Sequence, residues 1–190
     1  MRNVYSANLL KAKELPFSMN CTCGKPGTVK LSYTQLWYCK SCFTRLIRHR
    51  VQKDLRQKKW FKGHDTVYLL NDGSKEHFIA RKLLETIFEH RMKVHSVKTF
   101  SKVRGKKIRP SNLDREVTRK FERFLTEEKP AKDTAFHFPS AVLEEEMVQL
   151  CHLLGYKKVK KDRRHPLLEA MEKRYPGTLF GLYRSFHELT

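Results

Sequence analysis

Residues 65–91 read DTVYLLNDGSKEHFIARKLLETIFEHR, and their periodicity changes halfway along. Asp65-Thr66-Val67-Tyr68-Leu69-Leu70 is a short apolar run rich in strand formers, with the composition of a buried strand. Asn71-Asp72-Gly73-Ser74 is turn chemistry. From Lys75 to Arg91 the apolar residues Phe78, Ile79, Leu83, Leu84, Ile87 and Phe88 recur at helical spacing. Met92 to Phe100, with Val94 and Val97, reads as a second strand. Strand, turn, helix and strand make a βαβ unit, which predicts an α/β fold with a parallel sheet. The unit also marks a place. Its turn feeds a helix N-terminus, where open α/β sheets cradle phosphate.

Downstream, residues 101–110 read as a basic loop, with Lys102, Arg104, Lys106, Lys107 and Arg109. A helix is predicted from Leu113 to Glu128 and a short strand over Ala135–Phe138. Pro139-Ser140 opens a further helix, with Val142, Leu143, Met147, Leu150, Cys151 and Leu154 toward the core and Gly155 as its stop. Tyr156–Val159 reads as a last short strand. His165-Pro166 starts a helix, Pro176-Gly177 breaks it, and a final amphipathic helix carries Leu179, Leu182, Tyr183 and Phe186. Cys151, alone on an apolar helix face, reads as packing.

Upstream, residues 20–43 hold four of the five cysteines. Cys21 and Cys23 form C-x-C, Cys39 and Cys42 form C-x-x-C, and two short strands lie between them. Two close pairs joined by a hairpin are the layout of a tetrahedral Zn²⁺ site, so one structural zinc on these four residues is expected. Next comes a helix with Phe43, Ile47, Val51 and Leu55 every four residues as an apolar stripe. Arg45, Arg48, Arg50, Lys53, Arg56, Lys58 and Lys59 fall largely off that stripe. The net charge is +20, and it is uneven: residues 1–62 carry 14 Lys/Arg against 2 Asp/Glu, residues 110–190 carry 15 against 13. So lopsided a surface predicts a polyanionic partner, and these seven residues are the expected RNA phosphate contacts. The expected division is an N-terminal extension (1–20), a zinc ribbon with its basic helix (21–62) and an α/β domain (63–190). No apolar run reaches membrane-spanning length and no signal sequence is evident, so the expectation is a cytoplasmic chain without a membrane partner. Clustered cysteines in a reducing compartment bind metal more often than they pair.

The order of these features resembles the cytoplasmic tRNA 2-thiolation proteins, a branch of the PP-loop ATP-pyrophosphatase superfamily (adenine nucleotide alpha-hydrolase-like folds). The resemblance lies in the knuckle ending Tyr38-Cys39-Lys40-Ser41-Cys42-Phe43, the basic helix and the βαβ unit with its loop. It continues through Leu153-Leu154-Gly155-Tyr156-Lys157-Lys158-Val159 and Leu168-Glu169-Ala170-Met171-Glu172-Lys173-Arg174-Tyr175-Pro176-Gly177-Thr178. It spans most of residues 20–189. Active members of the family carry Ser-Gly-Gly-x-Asp-Ser at the phosphate loop. Here Asn71, Asp72, Gly73, Ser74 and Lys75 stand at that loop, followed by Glu76 and His77, with one glycine left and acids where an anion would sit. Active members also follow the strand of Val159 with Gly-His-Asn and acids, where this chain has Lys160-Lys161-Asp162-Arg163-Arg164-His165. Their core-domain cysteines for an iron–sulfur cluster or sulfur carriage are matched here by Cys151 alone.

The resemblance therefore implies a reduced PP-loop parallel-sheet domain behind a small zinc ribbon. It implies the noncatalytic second subunit of the heterodimeric thiolation complex, a pseudoenzyme binding tRNA and a catalytic thiolase partner, with no ATP expected. Two other readings stand beside it. One is an active ATP-dependent tRNA thiolase. The other is an unrelated zinc-ribbon protein that binds RNA or the ribosome.

Overall fold

The structure, a computed structural model, describes residues 20–62, 64–89, 91–128 and 134–188. The expected N-terminal extension lies outside them apart from Asn20. Strands β1 (Val29–Lys30) and β2 (Trp37–Tyr38) form the antiparallel hairpin expected between the cysteine pairs. Helix α1 (Lys40–Lys58) follows, with Phe43, Ile47, Val51 and Leu55 as its buried face. Then β3 (Thr66–Leu70), α2 (Lys75–Phe88) and β4 (Lys93–Val97) make the predicted parallel unit, paired from Thr66↔Lys93 to Leu70↔Val97.

The basic stretch 101–110, expected as a loop, contains strand β5 (Lys106–Pro110). It is an inner strand, parallel to β3 on one side and to β6 (Phe136–Phe138) on the other, in the order β4-β3-β5-β6. One fully buried apolar residue, Ile108, was too weak a periodic signal between lysines and arginines. What makes this segment a strand is the unpaired edge that β3 offers it. Helices α3 (Leu113–Thr126), α4 (Glu144–Leu153), α5 (Pro166–Arg174) and α6 (Thr178–Glu188) complete the described chain.

Two boundaries differ from expectation. Residues 139–143 form a turn, and α4 starts at Glu144, where three consecutive acids favour a helix N-terminus and the Glu146 carboxylate accepts the Leu143 N–H at 3.0 Å. Tyr156–Val159 is not a strand. It runs as a strap, held by stacking of Tyr156 on Phe78 (4.7 Å) and by donation from the Tyr156 hydroxyl to the Gly73 carbonyl (3.0 Å).

The core is continuous across the expected division at residues 62/63. One cluster joins Val29 and Leu31 of the ribbon and the α1 stripe to Val67 and Leu69 of β3, Ile79 and Leu84 of α2, and Met147 and Leu150 of α4. A second gathers Leu113, Val117, Leu143, Leu168, Leu179 and Tyr183 under α3, α5 and α6. Among the described residues, no helix is long and apolar enough to cross a membrane.

Candidate functional site

Strands β3, β5 and β6 each run at their C-terminal ends into a helix. The N-termini of α2, α3 and α4 therefore meet at one edge of the sheet, the ligand crevice of open α/β folds. Gly73 has φ +72, a left-handed conformation that favours glycine. Three donors in and just after this turn are already engaged by side chains. The Asn71 side chain accepts the Gly73 N–H (3.2 Å), Asp72 accepts the Ser74 N–H (3.0 Å), and the Ser74 hydroxyl accepts the His77 N–H (3.1 Å). These side-chain caps occupy groups that a phosphate would need. Asp72 thus opposes an anion by taking up a donor as well as by its charge.

Behind the turn, Lys75 and Glu76 are buried, at 3% and 0% exposure. The Lys75 ammonium lies 2.7 Å from Glu76, 3.1 Å from Glu144 and 3.5 Å from Asp162. Asn112, the N-cap of α3, donates to Glu76 (3.0 Å) and Glu144 (2.9 Å). Arg115 pairs with Asp162 at 2.6 Å, and Asp162 donates its own backbone N–H to Glu144 (2.9 Å). Asp114 accepts the Glu144 N–H at 2.6 Å and pairs with Arg164. Burial would lower the Lys75 pKa, but the bond to Glu76 and the charges of Glu144 and Asp162 outweigh it and raise the group. Burial would raise Asp162, and the Arg115 bond holds it below the usual range; for Glu144 burial prevails and raises it.

The physical logic is local. Three helix N-termini gather partial positive charge in one place. Glu76, Asp114 and Glu144 supply the negative charge from within the chain, and Lys75 and Arg115 balance the excess. Glu76, Glu144 and Asp162 offer oxygens within 4.8 Å of one another, as a metal site would, but the Lys75 ammonium is already bonded to all three. The residues present do not fit the phosphates of a bound nucleoside triphosphate. The sequence placed the turn and Lys75 here. It missed Asn112, Arg115 and Glu144, whose common signal is a polar or charged residue where a strand end becomes a helix start. Cys151 is buried nearby, and burial pushes its thiol up to about 12, so it is an inert packing group.

The four N-terminal cysteines do come together. Their sulfurs all lie within 4.8 Å of one another, and Cys23 Sγ is 3.6 Å from Cys39 Sγ. A tetrahedral ion with bonds of about 2.3 Å needs sulfur–sulfur edges of about 3.8 Å, so the set fits one metal ion. A four-iron cluster binds each thiolate through a different iron and would need the sulfurs farther apart. Gly24, at φ +80, turns the first knuckle so that its N–H donates to the Cys21 carbonyl at 2.8 Å. Backbone N–H groups at Cys23 and Cys39 hold the Cys21 thiol down to about 6, while the neighbouring sulfurs of Cys23, Cys21 and Cys39 push Cys42 up to about 12. Cys39 is also the N-cap of α1, so the helix dipole favours thiolates.

Helix α1 leaves this knuckle with Arg45, Arg48, Lys53, Arg56 and Lys59 exposed. The other two expected phosphate contacts turn inward. Arg50 pairs with fully buried Glu146 at 2.6 Å, and Lys58 reaches Asp54 (2.9 Å), Ser140 (2.8 Å) and Tyr183 (2.6 Å). Tyr33 also donates to Glu146, and Ser32 to Glu145. These contacts tie ribbon and helix to α4, so the knuckle is held fixed against the α/β body.

A cysteine knuckle docked on an open parallel α/β sheet with a self-filled ligand crevice defines the class. No family model matches the chain. A 59-residue stretch is 36% identical to tRNA-5-methyluridine(54) 2-sulfurtransferase of Thermotoga maritima, covering 30% of this chain and 19% of that protein. The match thus spans about a fifth of that relative's length. Among solved structures, the U34-tRNA thiolase NcsA from Methanococcus maripaludis, described with its [4Fe-4S] cluster, is similar at a TM-score of 0.69 and 15% identity, over 90% of this chain and 88% of that one. The fold is therefore shared with that structure, and each of these two proteins is named for sulfur transfer to tRNA.

Proposed function

We propose that this chain is the noncatalytic subunit of a tRNA wobble-uridine 2-thiolation complex, binding tRNA and scaffolding a catalytic thiolase subunit in the cytoplasm. The thiolase fold and the names of the two similar proteins support the pathway. The observation that carries the noncatalytic assignment is the crevice. The N–H groups of Gly73, Ser74 and His77 are capped by Asn71, Asp72 and Ser74, and its interior is filled by Lys75 with Glu76, Glu144 and Asp162. A buried ionic cage at three helix N-termini stabilises the fold where an active member would bind phosphate.

In this reading Cys21, Cys23, Cys39 and Cys42 hold one structural Zn²⁺, which would supply cross-linking of the ribbon rather than chemistry. The exposed cations of α1 take tRNA phosphates, and the ribbon's contacts with α4 set the direction of that helix. The test has two arms. Calorimetric titration of the purified chain with ATP and Mg²⁺ is expected to give no binding, and the chain should co-purify with a subunit bearing an intact Ser-Gly-Gly-x-Asp-Ser loop. Micromolar ATP affinity or pyrophosphate release would restore the active-thiolase reading. Strong tRNA binding with no such subunit would favour a free-standing RNA-binding protein.

A further inference from the structure

We infer that the groove between the C-terminal ends of α1 and α2 receives one unstacked nucleotide from a single-stranded segment of RNA. This deepens the tRNA-binding reading and rests on it. The groove encloses about 580 Å³, within the range of small-ligand sites. Half-buried Phe61 and Phe88 line it, edge to face at 6.0 Å. Arg56, Lys59, Lys62 and Arg91, all exposed, surround these rings, and among the described residues lining the groove there is no Asp or Glu. Arg91 meets Glu89 at 3.7 Å, but both side chains are largely in water, where such a pair is screened.

The charge exceeds what the fold needs. Arg56 and Lys59 sit at the end of α1 and offset its dipole. Lys62 and Arg91 come after their helices have ended. A cavity of about 570 Å³ on the other flank of α1 makes the contrast: its Arg50 and Lys58 are spent on Glu146 and Asp54. Cations that lie largely in water around aromatic rings fit a group that is anionic at one end and flat and apolar at the other, as a nucleotide is. Phosphates meet the cations and the base stacks on a ring, a mode open to any base once it has left the duplex. The groove also continues the exposed row Arg45, Arg48, Arg56 and Lys59, two of which belong to both. A backbone tracked along α1 would be delivered to it.

The experiment uses the full chain, a tRNA and a single-stranded oligoribonucleotide, with zinc content and circular dichroism as folding controls. Lys62→Ala/Arg91→Ala is expected to weaken tRNA binding and to reduce the log–log salt slope by roughly 1.4–1.8, two phosphate contacts' worth. Phe88→Leu keeps the apolar packing but loses the stacking face, so it should weaken binding roughly tenfold with the slope unchanged. In the unmodified protein, photocrosslinking with 4-thiouridine-substituted RNA should mark the peptides carrying Phe61 or Phe88. Normal affinity in both variants, or crosslinks found solely elsewhere, would overturn the groove while the α1 contacts stand. A lowered slope with Phe88→Leu unaffected would overturn the base site and leave only phosphate tracking. If the unmodified chain binds neither RNA, the tRNA reading itself fails and the groove with it.

Discussion

Replacing Lys75 with methionine removes the cation from the buried cage while keeping most of the side chain's volume. Three carboxylates lose a positive charge at 2.7, 3.1 and 3.5 Å, and only Asp162 keeps a closer one, Arg115 at 2.6 Å. At an effective dielectric of about 20 each attraction amounts to roughly 5–6 kcal/mol. Desolvation of the ions already cancels most of that sum in the native protein. The substitution deletes the attraction and keeps the carboxylates' desolvation, so the expected loss is that of a broken buried pair, about 3–5 kcal/mol. For a chain of this length that lowers Tm by roughly 6–20 °C. The deficit should depend on pH with a definite sign. Burial already raises the pKa of Glu144, and without Lys75 it rises further. An acid whose folded pKa lies above its unfolded value binds more protons when folded, so the variant gains stability as pH falls and loses it as pH rises. Urea unfolding of both proteins at pH 8 and pH 5.5 measures this. The variant's deficit should be largest at pH 8, and Lys75→Met/Glu144→Gln should recover part of it. A deficit below about 1 kcal/mol at pH 8, or one that does not change with pH, would refute the cage as the element holding the crevice closed.

Metal analysis should find one zinc per chain, and Cys39→Ser should abolish it and loosen the ribbon; a stoichiometry near zero in the unmodified protein would contradict the knuckle. Chelation should leave the α/β body folded, because its core continues through sheet and helices, and loss of all structure by circular dichroism would show that the ribbon nucleates the whole chain. Burial would raise the Glu116 carboxyl, but bonds from His137 and Ser111 and the charge of Arg119 outweigh it and bring it from 4.5 down to about 2. A depressed acid stabilises the fold above its unfolded pKa, so about 3 kcal/mol should be lost as pH falls from about 4.5 through about 2. Glu116→Gln should flatten that limb of an acid-unfolding curve, and an unchanged limb would assign acid unfolding to other groups.

Local patterns carried much of this protein. The change from a strand run at Val67–Leu70 to helical spacing at Phe78–Phe88 required a βαβ unit, because each period buries its apolar face in one kind of element. The cysteine spacing located the knuckle, and four-residue spacing from Phe43 to Leu55 fixed the buried face of α1. Tertiary structure decided what these elements do to one another. Strand β5 exists because β3 offers it a hydrogen-bonding edge, which no local pattern among its basic residues announces. Arg50 and Lys58 look like their exposed neighbours in sequence, and only the arrival of Glu146, Ser140 and Tyr183 turns them inward. The closure of the crevice is likewise non-local: Asn112 meets Glu76, Glu144 and Asp162 across 36, 32 and 50 residues. A sequence states which charges a chain owns; which of them cancel depends on where three helix N-termini converge, and that is settled only by the packed sheet.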